Sequence, residues 1–302
     1  MSSAEIAVQI FQKLEVEDFS VLQGIEAGMN TREAVPREQI AKHSIVPIEN
    51  IDHYLDRLNK FSLIYSMQVG YVGYTLNYAG YDCLAINVFV KEESIIAFGK
   101  SLGVGKEADV FGALGSEEKR VAVKFHRLGR TSFRQTRRKR GYMLDHAGWL
   151  FQSKLAAEKE YNGLRLAHKY GVAVPEPISH NRHAIVMGII DGAELSKWRE
   201  IPNPKKVLKE ILKNVKLAYT KGNVVHADLS EYNIILNDDL KILFIDWPQY
   251  VTTEHPNAQD LLKRDVENVL NFFKRKTNMK VNLEEAFDFV TGKSRKLEIN
   301  AL

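Results

Sequence analysis

The sequence predicts an α+β chain in three successive parts: a small helical unit closed by a β-ribbon, a strand-rich segment, and a mostly helical remainder. Three observations lead there. Apolar residues recur at helical spacing through much of the first 62 positions, then give way at 63–77 to β-branched and aromatic residues around Gly70 and Gly73. From about residue 95, glycine turns separate three short alternating stretches. Further on, the polar run "HADLSEYN" (226–233) interrupts two apolar stretches in the helix-rich remainder.

Composition sets the frame. The 302 residues are 45% hydrophobic and 26% charged with a net charge of +4, ordinary for a soluble globular protein. A single cysteine, Cys83, excludes an internal disulfide framework and a cysteine-rich zinc site, and agrees with a reducing cytosol. The start "MSSAEIAVQIFQKLEVEDF" carries acidic residues and lacks signal-peptide design. No apolar run approaches the roughly 20 residues of a membrane span. The expectation is a soluble, cytoplasmic protein with no membrane contact.

The elements follow in order. Phe19, Leu22, Ile25 and Met29 mark a helix at 17–30. A second is expected at 35–44 with Pro36 near its start, and a third at 47–62 with Pro47 near its start and an Ile51, Tyr54, Leu55, Leu58 stripe. A hairpin at 63–77 and a helix at 78–93 close the unit. Three helices and a hairpin are the order of a winged helix, assigned to 1–92. Its third helix would be the recognition helix, but Glu49, Asp52 and Asp56 oppose Arg57 and Lys60. Protein contact or a purely structural role therefore stands beside nucleic-acid binding for this unit.

Residues 93–190 form the strand-rich lobe: strands at 95–102, 108–114 and 120–126, a basic flexible loop at 127–148, a helix at 150–170 ended by Gly171, and two strands within 178–190. Residues 191–302 form the helical lobe, with helices at 204–221, 257–274 and 283–290 and short strands around Asn233 and Asp246. This is the layout of a two-lobed phosphotransferase.

Four motifs carry chemistry. In "GVGKEADV" (103–110), Gly103 and Gly105 let backbone amides approach phosphate oxygens. The loop matches a kinase glycine-rich loop at Gly103, Gly105 and Val110, with Ala108 in place of the third glycine. On its own a glycine pair is a plain hairpin. In "VAVK" (121–124), Lys124 points inward from an alternating strand, 19 residues after Gly105, where the kinase V-A-I-K lysine meets the nucleotide phosphates and a helix glutamate; the bland alternative is a surface lysine ending a strand. Glu160, on one helical face with Leu164 and Ala167, is the expected partner, and Glu158 the second choice. "HADLSEYN" fits the catalytic loop H-R-D-x-x-x-x-N with Ala227 for arginine. Asp228 would orient the attacking group, Asn233 would bind a metal ion, and His226 would be a packed structural residue. Asp246, 13 residues after Asn233, ends a strand in "LFIDWPQ" and takes the D-F-G metal position. Two oxygen ligands plus phosphates suit Mg²⁺.

The departures matter as well. Trp247-Pro248-Gln249 replaces Phe-Gly, no A-P-E follows, and Ser230 stands two residues after Asp228 where a lysine is usual. Only 56 residues follow Asp246, and the peptide-docking region looks truncated. With "GVGKEADVF", "VAVKFHRLG", "HADLSEYN" and "IDWPQ", the chain resembles the RIO family of atypical serine/threonine protein kinases. The N-terminal winged helix and "TSFRQTRRKRGYMLDHAGWLFQSKLAAEKEY" resemble its second subgroup, in a compact form like that of archaeal members. The resemblance covers roughly residues 10–275. It implies a winged-helix domain followed by a protein-kinase-like RIO domain, and ATP with Mg²⁺ or Mn²⁺ as cofactors. It further implies a role in small-ribosomal-subunit maturation, and Asp246 as a transient phosphoacceptor. The nucleotide set would then comprise Ser101, Gly103, Gly105, Lys106, Lys124, Glu160, Ser230 and Asn233, with Met187, Gly188 and Ile190 at the adenine edge.

"RLGRTSFRQTRRKR" (127–140) carries seven basic residues, Arg127 among them, and no acid. Such a block is expected to be mobile in the free protein and to bind phosphate backbone. In the family setting the partner would be the pre-ribosomal small subunit and its ribosomal RNA, met by this loop and the winged helix, with the free protein a monomer. Three functions stay open: an ATP-hydrolysing switch on the pre-ribosome, a serine/threonine kinase acting on a separate protein, and a non-enzymatic nucleic-acid binder.

Overall fold

The computed structural model of the chain describes residues 1–129 and 142–299. They fall into two compact units, Met1–Ala157 with Ser179–Val186, and Glu158–Ile178 with the residues from Met187 onward.

In the first unit a helix that the apolar spacing did not announce, α1 (Ser3–Ile10), opens the chain. A capping box starts it: the Glu5 N–H donates to Ser2 Oγ (3.2 Å) and the Ser2 N–H to Glu5 Oε2 (2.6 Å). Then come α2 (Val16–Gly28), β1 (Val35–Pro36), α3 (Arg37–Lys42), α4 (Ile51–Lys60), β2 (Ile64–Gln68), β3 (Val72–Leu76) and α5 (Tyr78–Lys91). The three strands pair in the order β1-β3-β2, with Gly70 at φ +83° in the hairpin turn. Ile51, Leu55 and Leu58 of α4 are wholly buried, so the stripe read from the sequence is the face that packs. These are the elements of the expected winged helix.

A five-stranded sheet follows, in the order β4-β5-β6-β8-β7: β4 (Ala97–Val104), β5 (Ala108–Leu114), β6 (Arg120–His126), β7 (Pro177–Asn181) and β8 (Ala184–Gly188). The first three are antiparallel, with Val110 opposite Lys124.

Arg127 corrects the sequence reading. It is 2% exposed and belongs to the core rather than to a basic loop. Its guanidinium donates to Asp82 Oδ2 (2.7 Å) of α5 and Asp109 Oδ2 (3.2 Å) of β5, and lies 5.0 Å from the Tyr78 ring centre. Asp82 Oδ1 in turn meets His183 Nε2 at 2.7 Å. Burial pushes the His183 imidazole down to about 4, against the pull of Asp82, so it is neutral near pH 7. Two buried carboxylates converge on one guanidinium. Arg127→Ala would remove the cation they share and should cost about 3–5 kcal/mol, read as a lower denaturant midpoint. A midpoint close to wild type would mean that the cluster does not hold α5 to the sheet. The rest of the basic block, 130–140, lies outside the described residues.

The long helix α6 (Tyr142–Lys169) begins at 142, inside the loop expected at 127–148. Gly148 obscured that start, yet one interior glycine costs a helix only about 1 kcal/mol. In the second unit follow β9 (Ala193–Glu194), α7 (Pro204–Thr220), β10 (Val224–Val225), β11 (Ile234–Leu236), β12 (Ile242–Phe244), β13 (Val251–Thr252), α8 (Ala258–Thr277) and α9 (Leu283–Val290). Asn203 and Asn282 cap α7 and α9 by accepting from backbone N–H groups of the first turn. Two small antiparallel sheets, β12-β11-β9 and β10-β13, present the loop 226–233 and the segment 245–250. No helix among the described residues is long and apolar enough to cross a membrane.

Candidate active site

The loop 226–233 joins two strands, each held in a sheet of its own. β10 enters it from a pairing with β13, and β11 leaves it into a ladder with β12, in which Ile234 faces Phe244. The ladder sets Asn233 beside Asp246: the Ile245 N–H donates to the Asn233 carbonyl at 3.0 Å. Within the loop, Asn233 Nδ2 donates to the Asp228 carbonyl at 2.8 Å. The amide nitrogen is thereby committed, and Oδ1 is the atom suited to a cation. Asp228 is exposed, while Asn233 and Asp246 are half-buried.

The framework lies on the buried side. Ala227 and Asp246 both have left-handed backbone, at φ 65° and 68°. For an alanine this costs roughly 1–2 kcal/mol and persists only where the surroundings over-determine it. Asp265 of α8 supplies the restraint. Its carboxylate accepts from the Ala227 N–H (2.7 Å) and the Leu229 N–H (3.0 Å). Arg264 donates to the Ala227 carbonyl, and Asn268 Nδ2 to the Leu229 carbonyl at 3.2 Å. Asp265 is 1% exposed, and burial pushes its carboxyl up to about 7 in spite of the two N–H donors. The motif search missed this residue. The signal was present in "LLKRDVENVL", where a carboxylate sits among Leu262, Val266 and Val269 on the apolar stripe of a helix.

His226 is structural, as expected. Nε2 meets the Ile245 carbonyl at 3.0 Å and the ring packs 4.6 Å from the Trp247 ring. Burial holds its imidazole below the ordinary value, although the Ile245 carbonyl and the charges of Asp246, Asp228 and Glu160 pull the other way. Glu160 is thus one of the charges that act on this imidazole. Glu160 is 1% exposed whereas Glu158 is exposed, so of the two glutamates only Glu160 points into the fold.

In the first unit Lys124 is buried on β6, and Ser101, Gly103, Gly105 and Lys106 are exposed along β4 and the turn after it. Ser101 lies between two register shifts of the β4–β5 ladder. A Cβ at Gly103 would meet nothing within 4 Å, and the backbone there is not left-handed. Neither packing nor backbone conformation requires glycine at 103. Met187 and Gly188 end β8, and the Gly188 N–H is taken by the Glu176 carbonyl at 2.8 Å. Of Gly188, only the carbonyl can then serve an adenine edge, together with the Ile190 backbone. No group of three or more His, Cys, Asp or Glu among the described residues is set to hold a metal ion. An Asn and an Asp fit instead an ion that keeps several waters, as Mg²⁺ does.

The chain is similar to known proteins. A family model described as "RIO domain" matches residues 109–286, and one described as "Rio2, N-terminal" matches 11–92. The chain is 40% identical over 274 residues to a RIO-type serine/threonine-protein kinase Rio2 from Methanocaldococcus jannaschii, covering 87% of this chain and 100% of that one. It is 35% identical over 271 residues to a serine/threonine-protein kinase rio2 from Schizosaccharomyces pombe, covering 89% and 78%. Among solved structures, the Rio2 kinase–ADP/Mg²⁺–phosphoaspartate complex from Chaetomium thermophilum superposes with a TM-score of 0.78 at 28% identity, over 95% of this chain and 94% of that one.

Proposed function

The chain belongs to the RIO family of serine/threonine protein kinases, in the branch that carries the Rio2 N-terminal domain, and from that premise we propose that it is an ATPase switch that phosphorylates its own Asp246. The observation that carries the reading is the adjacency of Asn233 and Asp246 at the ends of β11 and β12, with Asp228 exposed on the same loop. Asn233 Oδ1 and the Asp246 carboxylate would hold Mg²⁺, or Mn²⁺ in its place. When bound, the ion supplies neutralisation of phosphoryl charge.

This chain's own residues would do the rest. Amides around Gly103 and Gly105, with Ser101, Lys106 and Ser230, cradle the phosphates of ATP. Lys124 would neutralise them. Residues 187–190 meet the adenine edge. A carboxylate oxygen of Asp246 attacks the γ-phosphorus. An O–P bond forms, the bond to the β–γ bridging oxygen breaks, and ADP leaves with the electron pair. Water then attacks the acyl phosphate, releasing phosphate and restoring the carboxylate, with Asp228 taking up the water proton. A Rio2 relative captured as a phosphoaspartate complex supports this route. The motifs shared with the family support a place in cytoplasmic maturation of the small ribosomal subunit, with the basic residues of 130–140 meeting ribosomal RNA.

A second reading, phosphorylation of a separate protein, is favoured by the names of the relatives. One experiment separates the two. After turnover with γ-phosphate-labelled ATP and rapid quenching, label should sit on Asp246 and be released by hydroxylamine, which cleaves acyl phosphates and spares phosphoserine. Absence of label on the chain, or label stable to hydroxylamine, rules the aspartyl route out.

A further inference from the structure

The winged-helix unit has the wrong charge for a reader of nucleic acid. Residues 1–92 hold seven Lys or Arg and twelve Asp or Glu, net −5 in a chain of net +4. Proteins that grip nucleic acid neutralise phosphates with Lys and Arg, and the arginines beside α4 are already engaged. Arg57 donates to Glu15 Oε1 (2.7 Å) and the Lys13 carbonyl (2.6 Å), and lies 3.3 Å from Asp18 Oδ2. Arg37 is paired with Asp52 and Glu38. Lys60 is an exposed cation at the end of α4, against exposed Asp52 and Asp56 on the helix and exposed Glu49 before it.

The wing itself carries no charge. From Phe61 to Tyr81 there is no Asp, Glu, Lys, Arg or His. Tyr65 is 44% exposed and Val72 52%, with Val69 and Tyr71 also open to solvent. β2 is an edge strand, and among the described residues no strand pairs with its outer side. Natural edges are usually protected by charge, proline or a bulge, and the β2–β3 register is unbroken. The hydrogen bonds identify which groups face outward. Asn77 N–H donates to the Leu63 carbonyl and Val69 N–H to the Tyr71 carbonyl, so the odd residues of β2 bond to β3. By the alternation of an antiparallel ladder, Ser66 and Gln68 turn their N–H and C=O groups to the open edge.

The unit around this edge is acidic, net −5 over residues 1–92, with Glu49 and Asp56 exposed. Tyr74, on β3 opposite Ser66, has its phenol pushed up by burial and then by Asp52 and Asp56. We propose that the outer edge of β2 is a strand-addition site for an extended, lysine- or arginine-rich segment of a protein partner. Main-chain bonds to Ser66 and Gln68 would supply affinity. Exposed apolar side chains of the wing would take the segment's aliphatic residues, and the net negative charge of the unit, with Glu49 and Asp56 exposed, would select its cations.

The full chain can be tested with a short fluorescent peptide of alternating lysine and valine, its glutamate–valine counterpart, and a labelled RNA hairpin. Ser66→Pro removes an outward N–H and no bond to β3. We expect the lysine peptide to bind, and Ser66→Pro to weaken it by about tenfold or more, one main-chain bond and a strand's access being lost. Asp56→Asn with Glu49→Gln should weaken it roughly threefold and reduce its salt dependence. The glutamate peptide should not bind, and RNA affinity should be the same in all variants. Should Ser66→Pro fold poorly, hydrogen exchange on the unmodified chain decides: the lysine peptide should protect the Ser66 and Gln68 amides. Peptide binding indifferent to these variants, unprotected β2 amides, or RNA affinity that falls with Ser66→Pro would each overturn the proposal.

Discussion

Asp246→Asn should lower Mg²⁺-dependent ATP turnover by about 10³-fold or more, the scale of losing a group that both binds the ion and accepts the phosphoryl group. Asparagine is the informative replacement. It keeps the size of the side chain and tolerates the left-handed backbone seen at Asp246 (φ 68°) better than alanine does. Loss of turnover therefore reports the missing charge rather than a strained loop. The melting temperature should stay within a few degrees of wild type, because Asp246 is only half-buried. Hydroxylamine-labile label should vanish as well, since an amide cannot accept the phosphoryl group. Lys124→Ala, by contrast, should weaken nucleotide binding while leaving Asp246 intact. Wild-type hydrolysis in Asp246→Asn would remove Asp246 from both of its assigned roles.

Asp265→Asn should reduce kcat by about 10²-fold, the scale of a misplaced catalytic group, although Asp265 need touch neither nucleotide nor metal. The carboxylate accepts from two N–H groups. An asparagine accepts with one oxygen and presents an NH₂ to the other donor, so one buried N–H loses its partner at about 1–3 kcal/mol. Ala227 then has less to hold it in the left-handed region, and Asp228, the next residue, loses its aim. KM for ATP should change little, which separates a positioning role from general unfolding.

A pH signature accompanies this change. Asp265 sits at about 7 in the folded chain against 3.8 for a free carboxyl, so the folded state binds the extra proton between those values. Its contribution to stability is complete below about 3.8 and is lost as the pH rises through about 7. The stability difference between wild type and Asp265→Asn should shift against wild type across that window. A difference independent of pH would show that Asp265 is ionised throughout.

Much of the architecture was readable without coordinates, because it depends on local chemistry. The α4 stripe, the hairpin around Gly70, the strand carrying Lys124 and the order His226, Asp228, Asn233, Asp246 are set by periodicity, turn residues and spacing, all short-range properties of the chain. Helix α1 escaped notice because its eight residues bury only Ala4 and Ala7, too small a stripe to register as amphipathic. Arg127 and Asp265 were out of reach for a different reason. Arg127 follows a strand and adjoins a run of arginines, so by sequence it is one more loop cation. Only packing brings Asp82, 45 positions earlier, and Asp109 against it. Asp265 likewise acts on residues 36 and 38 positions away. Burying a charge is unfavourable unless distant partners converge on it, and convergence of distant partners is a property of the tertiary fold that no local pattern encodes.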